Sequence, residues 1–189
     1  EYESLDEGVT FSMIASEKME ITGPLAAKLH VSSSTPDADL FLIFKVFDPD
    51  GVEVTYQGAL DPHTPVAHGW LRASHRKLDK DLSLPFRPFH THDEKQPLTP
   101  GEIYELDIEI WPTSIVVPAG WTIALTIQGH DYQYSDTVEQ VGWFTMTGVG
   151  PFKHDDPSDR PSDLFDGKVT LHFGRGCESF VLVPIIPPR

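Results

Sequence analysis

The sequence predicts an all-β protein, a two-sheet β-sandwich of the jelly-roll kind with little helix. Three observations carry this prediction. The 17 prolines and 14 glycines fall between short runs rich in Val, Ile, Phe, Trp and Thr, the spacing of a turn-rich sheet protein. Two runs alternate strictly: Tyr104, Leu106, Ile108 and Ile110 against Glu105, Asp107 and Glu109, and Trp121, Ile123, Leu125 and Ile127 against Thr122, Ala124, Thr126 and Gln128. No β-helix-β alternation is visible, so neither a Rossmann domain nor an α/β-hydrolase core is read here.

Taken in order, residues 1–18 are mixed and weakly periodic and read as an incoming linker or extension, with one domain over 19–189. "MEITGPLAAKLHVSSS" alternates around a Gly23-Pro24 kink, which predicts two short strands or one bent strand. In "DADLFLIFKVFDPDGVEVTYQG" apolar side chains on both faces from Leu40 to Phe47 predict a deeply placed strand. The turn Asp48-Pro49-Asp50-Gly51 then makes it the first arm of a hairpin. "GWLRASHRKLD" reads as a strand with Trp70, Arg72, Ser74 and Arg76 on one face and Leu71, Ala73 and His75 on the other. The stretch from Lys80 to Glu102 holds four prolines and has no period, too long for an ordinary connection and hence functional or laid across another surface. The runs at 104–110 and 121–128 read as partnered, half-buried antiparallel strands. A second long loop spans 148–167, and "KVTLHFG" and "SFVLVPII" close the sheets.

Composition narrows the function. A formal net charge of -15 would repel nucleic-acid phosphates and an anionic membrane surface. Cys177 is alone, so no disulfide framework within the chain is expected, and a reducing compartment such as the cytoplasm is favoured. No apolar run of membrane-spanning length occurs, and the opening residues have neither a basic nor an apolar export region.

Catalytic motifs are not found. No G-x-S-x-G elbow, Walker loop, H-E-x-x-H or C-x-x-C is present. Ser74, His75 and Asp79 look like a triad in sequence, yet neighbouring strand residues point to opposite faces, so no catalytic residue is assigned. His90 and His92 would share a face and could begin a zinc site with Asp93 or Glu94. Two ligands do not make one, so neither a metal nor a cofactor is expected. His154, Asp155 and Asp156 invite a calcium reading without the spaced oxygen ligands it needs. A charged turn in which Arg160 pairs with a neighbouring Asp is the better expectation. Trp70, Trp111, Trp121 and Trp143 could form a sugar-stacking platform, which keeps a freestanding carbohydrate-binding module as the alternative.

The strings "ITGPLAAKLHVSSSTPDADLFLIFKVFDPDG", "GWLRASHRKLD", "RPFHTHD", "LTPGEIYELDIEIWPTS", "PAGWTIALTIQGHDY" and "TLHFG" together resemble the C-terminal jelly-roll domain of the X-Pro dipeptidyl-peptidase and cocaine-esterase (CocE/NonD) hydrolases. The resemblance runs from about Met19 to Pro187. It implies a galactose-binding-like jelly roll that packs on an upstream α/β-hydrolase domain and its cap, and helps wall the pocket in which their Ser, Asp and His triad works on esters, amides or X-Pro peptides. On this view Trp70, Arg72, Ser74, His75, Arg76, His90, His92, His154, Asp155, Asp156 and Arg160 are candidates for the interface or pocket wall. Arg76 would be available to a carboxylate in this chain or across the domain boundary; equally, the arginines could simply pair with the chain's own Asp and Glu residues. A third reading is an oligomerising domain, self-associated through the loop at 80–100.

Overall fold

The computed structural model describes residues 1–58, 61–134, 139–141, 144–150 and 153–187. Its strands are β1 (Tyr2–Glu3), β2 (Val9–Ile14), β3 (Met19–Ser33), β4 (Asp39–Phe47), β5 (Ala67–Arg72), β6 (Tyr104–Val117), β7 (Thr122–Gln128), β8 (Glu139–Val141), β9 (Phe144–Met146), β10 (Lys168–His172), β11 (Phe180–Leu182) and β12 (Ile185–Ile186). Among the described residues helix is confined to a 3-10 turn at Ala73–His75 and a single turn, α1, at Ser162–Phe165.

Two antiparallel sheets face each other, as the alternation predicts. The 15-residue strand β3 is the spine of the first: β6 pairs along one side of it, and β10, β11 and β12 follow one another along the other. The second sheet runs β2-β7-β4-β5. Between them lie Leu25, Leu29 and Val31 of β3, Leu106, Ile108 and Ile110 of β6, Leu40, Leu42 and Phe44 of β4, and Ile127 of β7, all buried. Each such side chain contributes roughly 1.5–3 kcal/mol through its removal from water.

Several local expectations are corrected. Residues 1–18 are not merely a linker: β1 pairs with β10, and β2 is an edge strand with its Val9, Phe11 and Met13 opposite Ile127, Leu125 and Ile123. A period-2 signal of five residues is easily lost beside the acidic residues around it. The kink at Gly23-Pro24 bends one strand rather than dividing two, and β6 absorbs the mismatch with an extra residue: Gly23 faces Thr113 and Leu25 faces Ile110. β6 and β7 are not partners. They lie in different sheets, joined by a tight crossover in which the Gly120 amide bonds the Ala15 carbonyl. The second arm after Asp48-Gly51 stays short, because β4 is already paired on both sides by β5 and β7.

The outer face of the second sheet is also covered, by Tyr132 on Phe41 and Ile43, which is why β7 is buried on both faces rather than half-buried. Asp61 fastens this cover by accepting the Gly148 and Gly150 amides.

Candidate functional site

The site forms where the sandwich is pinched shut. β5 is the free edge of one sheet and β6 the free edge of the other, and they touch at Gly69: a Cβ there would lie 1.9 Å from the Glu109 carbonyl oxygen. Because side chains alternate, this contact turns His68, Trp70 and Arg72 outward from β5 and Glu109 outward from β6. The β6 bulge adds a further displacement. Inward residues run 106, 108, 110 and then resume at Thr113, leaving Trp111 and Pro112 both outside.

Trp70 and Trp111 therefore meet across the seam, ring centroids 5.0 Å apart, and are 37% and 52% exposed. His68 stands edge-on to both, at 5.5 Å and 5.3 Å. His154 comes from the 148–167 loop to 4.9 Å from Trp70, and Asp131 holds it there through its backbone amide and its Nδ1. His75, His90 and His92 complete the rim of a cavity of about 390 Å³. The indoles are inclined at 53°, so they do not offer the single flat surface across which a sugar ring stacks. Of the other tryptophans, Trp121 packs against the core and Trp143 lies outside the described residues.

A carboxylate–guanidinium network backs the cavity. Arg72 grips Asp39 with two hydrogen bonds of 2.8 and 2.9 Å and Asp159 with two more of 3.1 and 2.9 Å. Arg160 reaches the same Asp39, Nε to Oδ2 at 2.9 Å, and donates to the His154 and Gly129 carbonyls. Asp39, and beyond it Asp159, push the Arg72 guanidinium further toward its charged form. Arg160 thus pairs with a residue 121 positions away and not with a neighbour in its turn; Asp156 is instead occupied by Ser158, and Asp155 is exposed away from the cavity.

The strand expected over 69–77 ends at Arg72. Asp37 ends it by accepting the Ser74 and Ala38 amides, which curls Ala73–His75 into the 3-10 turn. Ser74 and Arg76 therefore leave the face that Trp70 and Arg72 share. Among the described residues Arg76 meets no carboxylate: it donates to the Ala73 and Gln96 carbonyls and lies 4.6 Å from the Tyr104 ring centre. The Ser74 hydroxyl is buried without a hydrogen-bond partner. Replacing a buried, unpaired hydroxyl by hydrogen removes a desolvation penalty, so Ser74→Ala is expected to be neutral or to stabilise by up to about 1 kcal/mol in urea unfolding.

His75 and His92 share a hydrogen bond between their Nδ1 atoms, 3.0 Å apart, with His92 in the left-handed region at φ 51°. Among the described residues no three His, Cys, Asp or Glu side chains converge to hold a metal ion. Burial lowers the pKa of His68, His75 and His90; His92 adds to this at His75, while a backbone contact with Asp107 opposes it at His90. The unfolded chain, with ordinary values near 6.5, then binds more protons than the folded one as pH falls through that region, so stability declines with acidification. The melting temperature should drop between about pH 7.5 and about pH 5.5, and His90→Gln should flatten the slope. The lowered Asp93, Asp156 and Asp159 act in a separate window, their contribution being lost only as pH falls below about 4.

A two-sheet sandwich with a cavity of aromatic and imidazole side chains on its pinched edge is built to present a surface to a ligand or to a neighbouring domain. The chain belongs to the family of the X-Pro dipeptidyl-peptidase C-terminal non-catalytic domain, whose sequence model matches residues 2–182. Over 118 residues it is 32% identical to the "Putative serine esterase" proteins of Mycobacterium bovis and Mycobacterium tuberculosis, an alignment covering 60% of this chain and 17% of each of theirs. A CocE/NonD family hydrolase from Staphylococcus aureus superposes with a TM-score of 0.80 at 26% identity, over 98% of this chain and 32% of that one. An α-amino acid ester hydrolase shares the fold, with a TM-score of 0.60 at 14% identity over 95% of this chain and 26% of that one. The chain thus spans less than a third of the length of these relatives.

Proposed function

We propose that this chain is the C-terminal, non-catalytic domain of a larger serine hydrolase, docked on an upstream α/β-hydrolase domain and its cap. The face applied to that domain is the Trp70–Trp111 seam with its ring of histidines, which forms part of the wall of the substrate pocket. The reading is carried by one observation: the family match extends over 2–182, while the aligned part of the chain accounts for only 17% of each mycobacterial relative and 32% of the staphylococcal one. The arginines of the seam are already matched by carboxylates of this chain, which leaves aromatic and imidazole surface and the Glu109 carboxylate as what the seam offers a partner. Leu82, Leu84, Phe86 and Phe89 on the neighbouring loop are exposed apolar groups that extend the same contact.

The test is the size of the native polypeptide. Immunoblots of source cells with antibodies raised against residues 1–189 should show a band about three times heavier than 21.1 kDa or more. A band at 21.1 kDa would overturn the reading, and a dimer of such a chain protected over 80–100 would put self-association in its place.

A further inference from the structure

The charges around the seam cavity do not cancel. Arg72 and Arg160 are matched by Asp39 and Asp159. Glu109 lines the same cavity, half-buried, and among the described residues its carboxylate enters no hydrogen bond or ion pair. One carboxylate is in excess. The faces of Trp70 and Trp111 carry negative π density, and the chain's own guanidiniums are engaged elsewhere, Arg72 over Phe165 at 4.4 Å and Arg160 over Phe41 at 5.6 Å. At His75 and His90 burial favours the neutral ring, so these two histidines add no compensating charge near neutrality.

We propose that the cavity bounded by Trp70, Trp111 and Glu109 is a binding site for an organic cation, an alkylammonium or guanidinium head. Such a group lays its diffuse charge on the indole faces and meets the Glu109 carboxylate, a combination that a neutral group of the same shape cannot satisfy. The head can belong to a small molecule or to a Lys or Arg side chain of the docked domain. Only this choice of source rests on the pocket-wall reading; the site itself belongs to this chain.

The 189-residue chain is titrated with tetramethylammonium chloride and with ethylguanidinium chloride, against tert-butanol and sodium chloride at matched ionic strength, following tryptophan fluorescence and indole N–H shifts. Saturable binding of the cations, absent for tert-butanol, is expected. Glu109→Gln, an isosteric change at a half-buried position, should weaken it about fivefold or more with an unchanged circular dichroism spectrum. Preference for ethylguanidinium assigns the site to a side chain, and preference for tetramethylammonium to a free ligand; either sustains the proposal. Cations binding no better than tert-butanol, or a folded Glu109→Gln that binds as the parent chain does, would overturn it. The titration uses the chain alone, so its failure leaves the docking reading intact. A native band at 21.1 kDa would do the reverse.

Discussion

Gly69→Ala is expected to lower the stability of the domain by about 3 kcal/mol or more, the upper end of what overpacking costs. The added methyl would sit 1.9 Å from the Glu109 carbonyl oxygen and 2.9 Å from Ile110 Cα, both backbone atoms of β6. No rotamer change relieves such a contact, so β5 and β6 must part. For a domain of this size the loss corresponds to a melting temperature roughly 6–12 °C lower. The damage would also be local: opening the pinched edge separates Trp70 from Trp111, so near-ultraviolet circular dichroism should lose the signal of the packed indoles. A variant that melts with the parent chain would show that the edges are not in contact.

Asp39→Ala is the second large effect. Asp39 is 9% exposed at its side chain and stands between Arg72 and Arg160, so its removal leaves Arg160 without a carboxylate and Arg72 with only Asp159. Breaking one partner of a largely buried charge network costs several kcal/mol because the remaining charge stays desolvated, and roughly 3 kcal/mol is expected here. Asp159→Ala makes the informative contrast. Its side chain is 66% exposed, water replaces it, and the loss should stay below about 1 kcal/mol. Urea unfolding of the two variants measures the difference; equal losses would contradict the placement of Asp39 at the centre of the network.

The residues that made the sequence legible are the same ones that build this corner. In "DADL", Asp37 caps the turn after β5, Asp39 holds both arginines and Leu40 enters the core. In "LRAS", Leu71 and Ala73 are core residues around Arg72. Strand periodicity was sufficient for the two sheets, since β3, β4, β6 and β7 each bury a period-2 stripe. It could not show which strands pair: β6 and β7 follow one another in sequence and look like partners, and only the three-dimensional crossover separates them.

The site was half legible. Trp70, Arg72, His75, His90, His92 and His154 do line one cavity, whereas Ser74 and Arg76 are carried off it by the Asp37 cap. His68 and Glu109 were not singled out, and Trp111 was offered only for a sugar-stacking platform, for an identifiable reason. A tryptophan inside an alternating run reads as core, and only the register slip at Pro24 opposite Trp111 and Pro112 puts it outside. The paired prolines are the signal that could have revealed it, because neither can donate to the ladder between β3 and β6. The Arg160–Asp39 pair could not have been read in the same way, since a contact across the fold leaves no periodic trace.

The central claim is that the Trp70–Trp111 seam is the face applied to a catalytic domain. Amide hydrogen exchange of the native protein purified from its source cells, set against the isolated 189-residue chain, tests it most directly. Slower exchange is expected in the native protein at 68–72, 90–92 and 109–111, with β2 and β11 at the opposite edge of the sandwich exchanging alike in both. Equal exchange at the seam, or protection confined to β2 and β11, would contradict it.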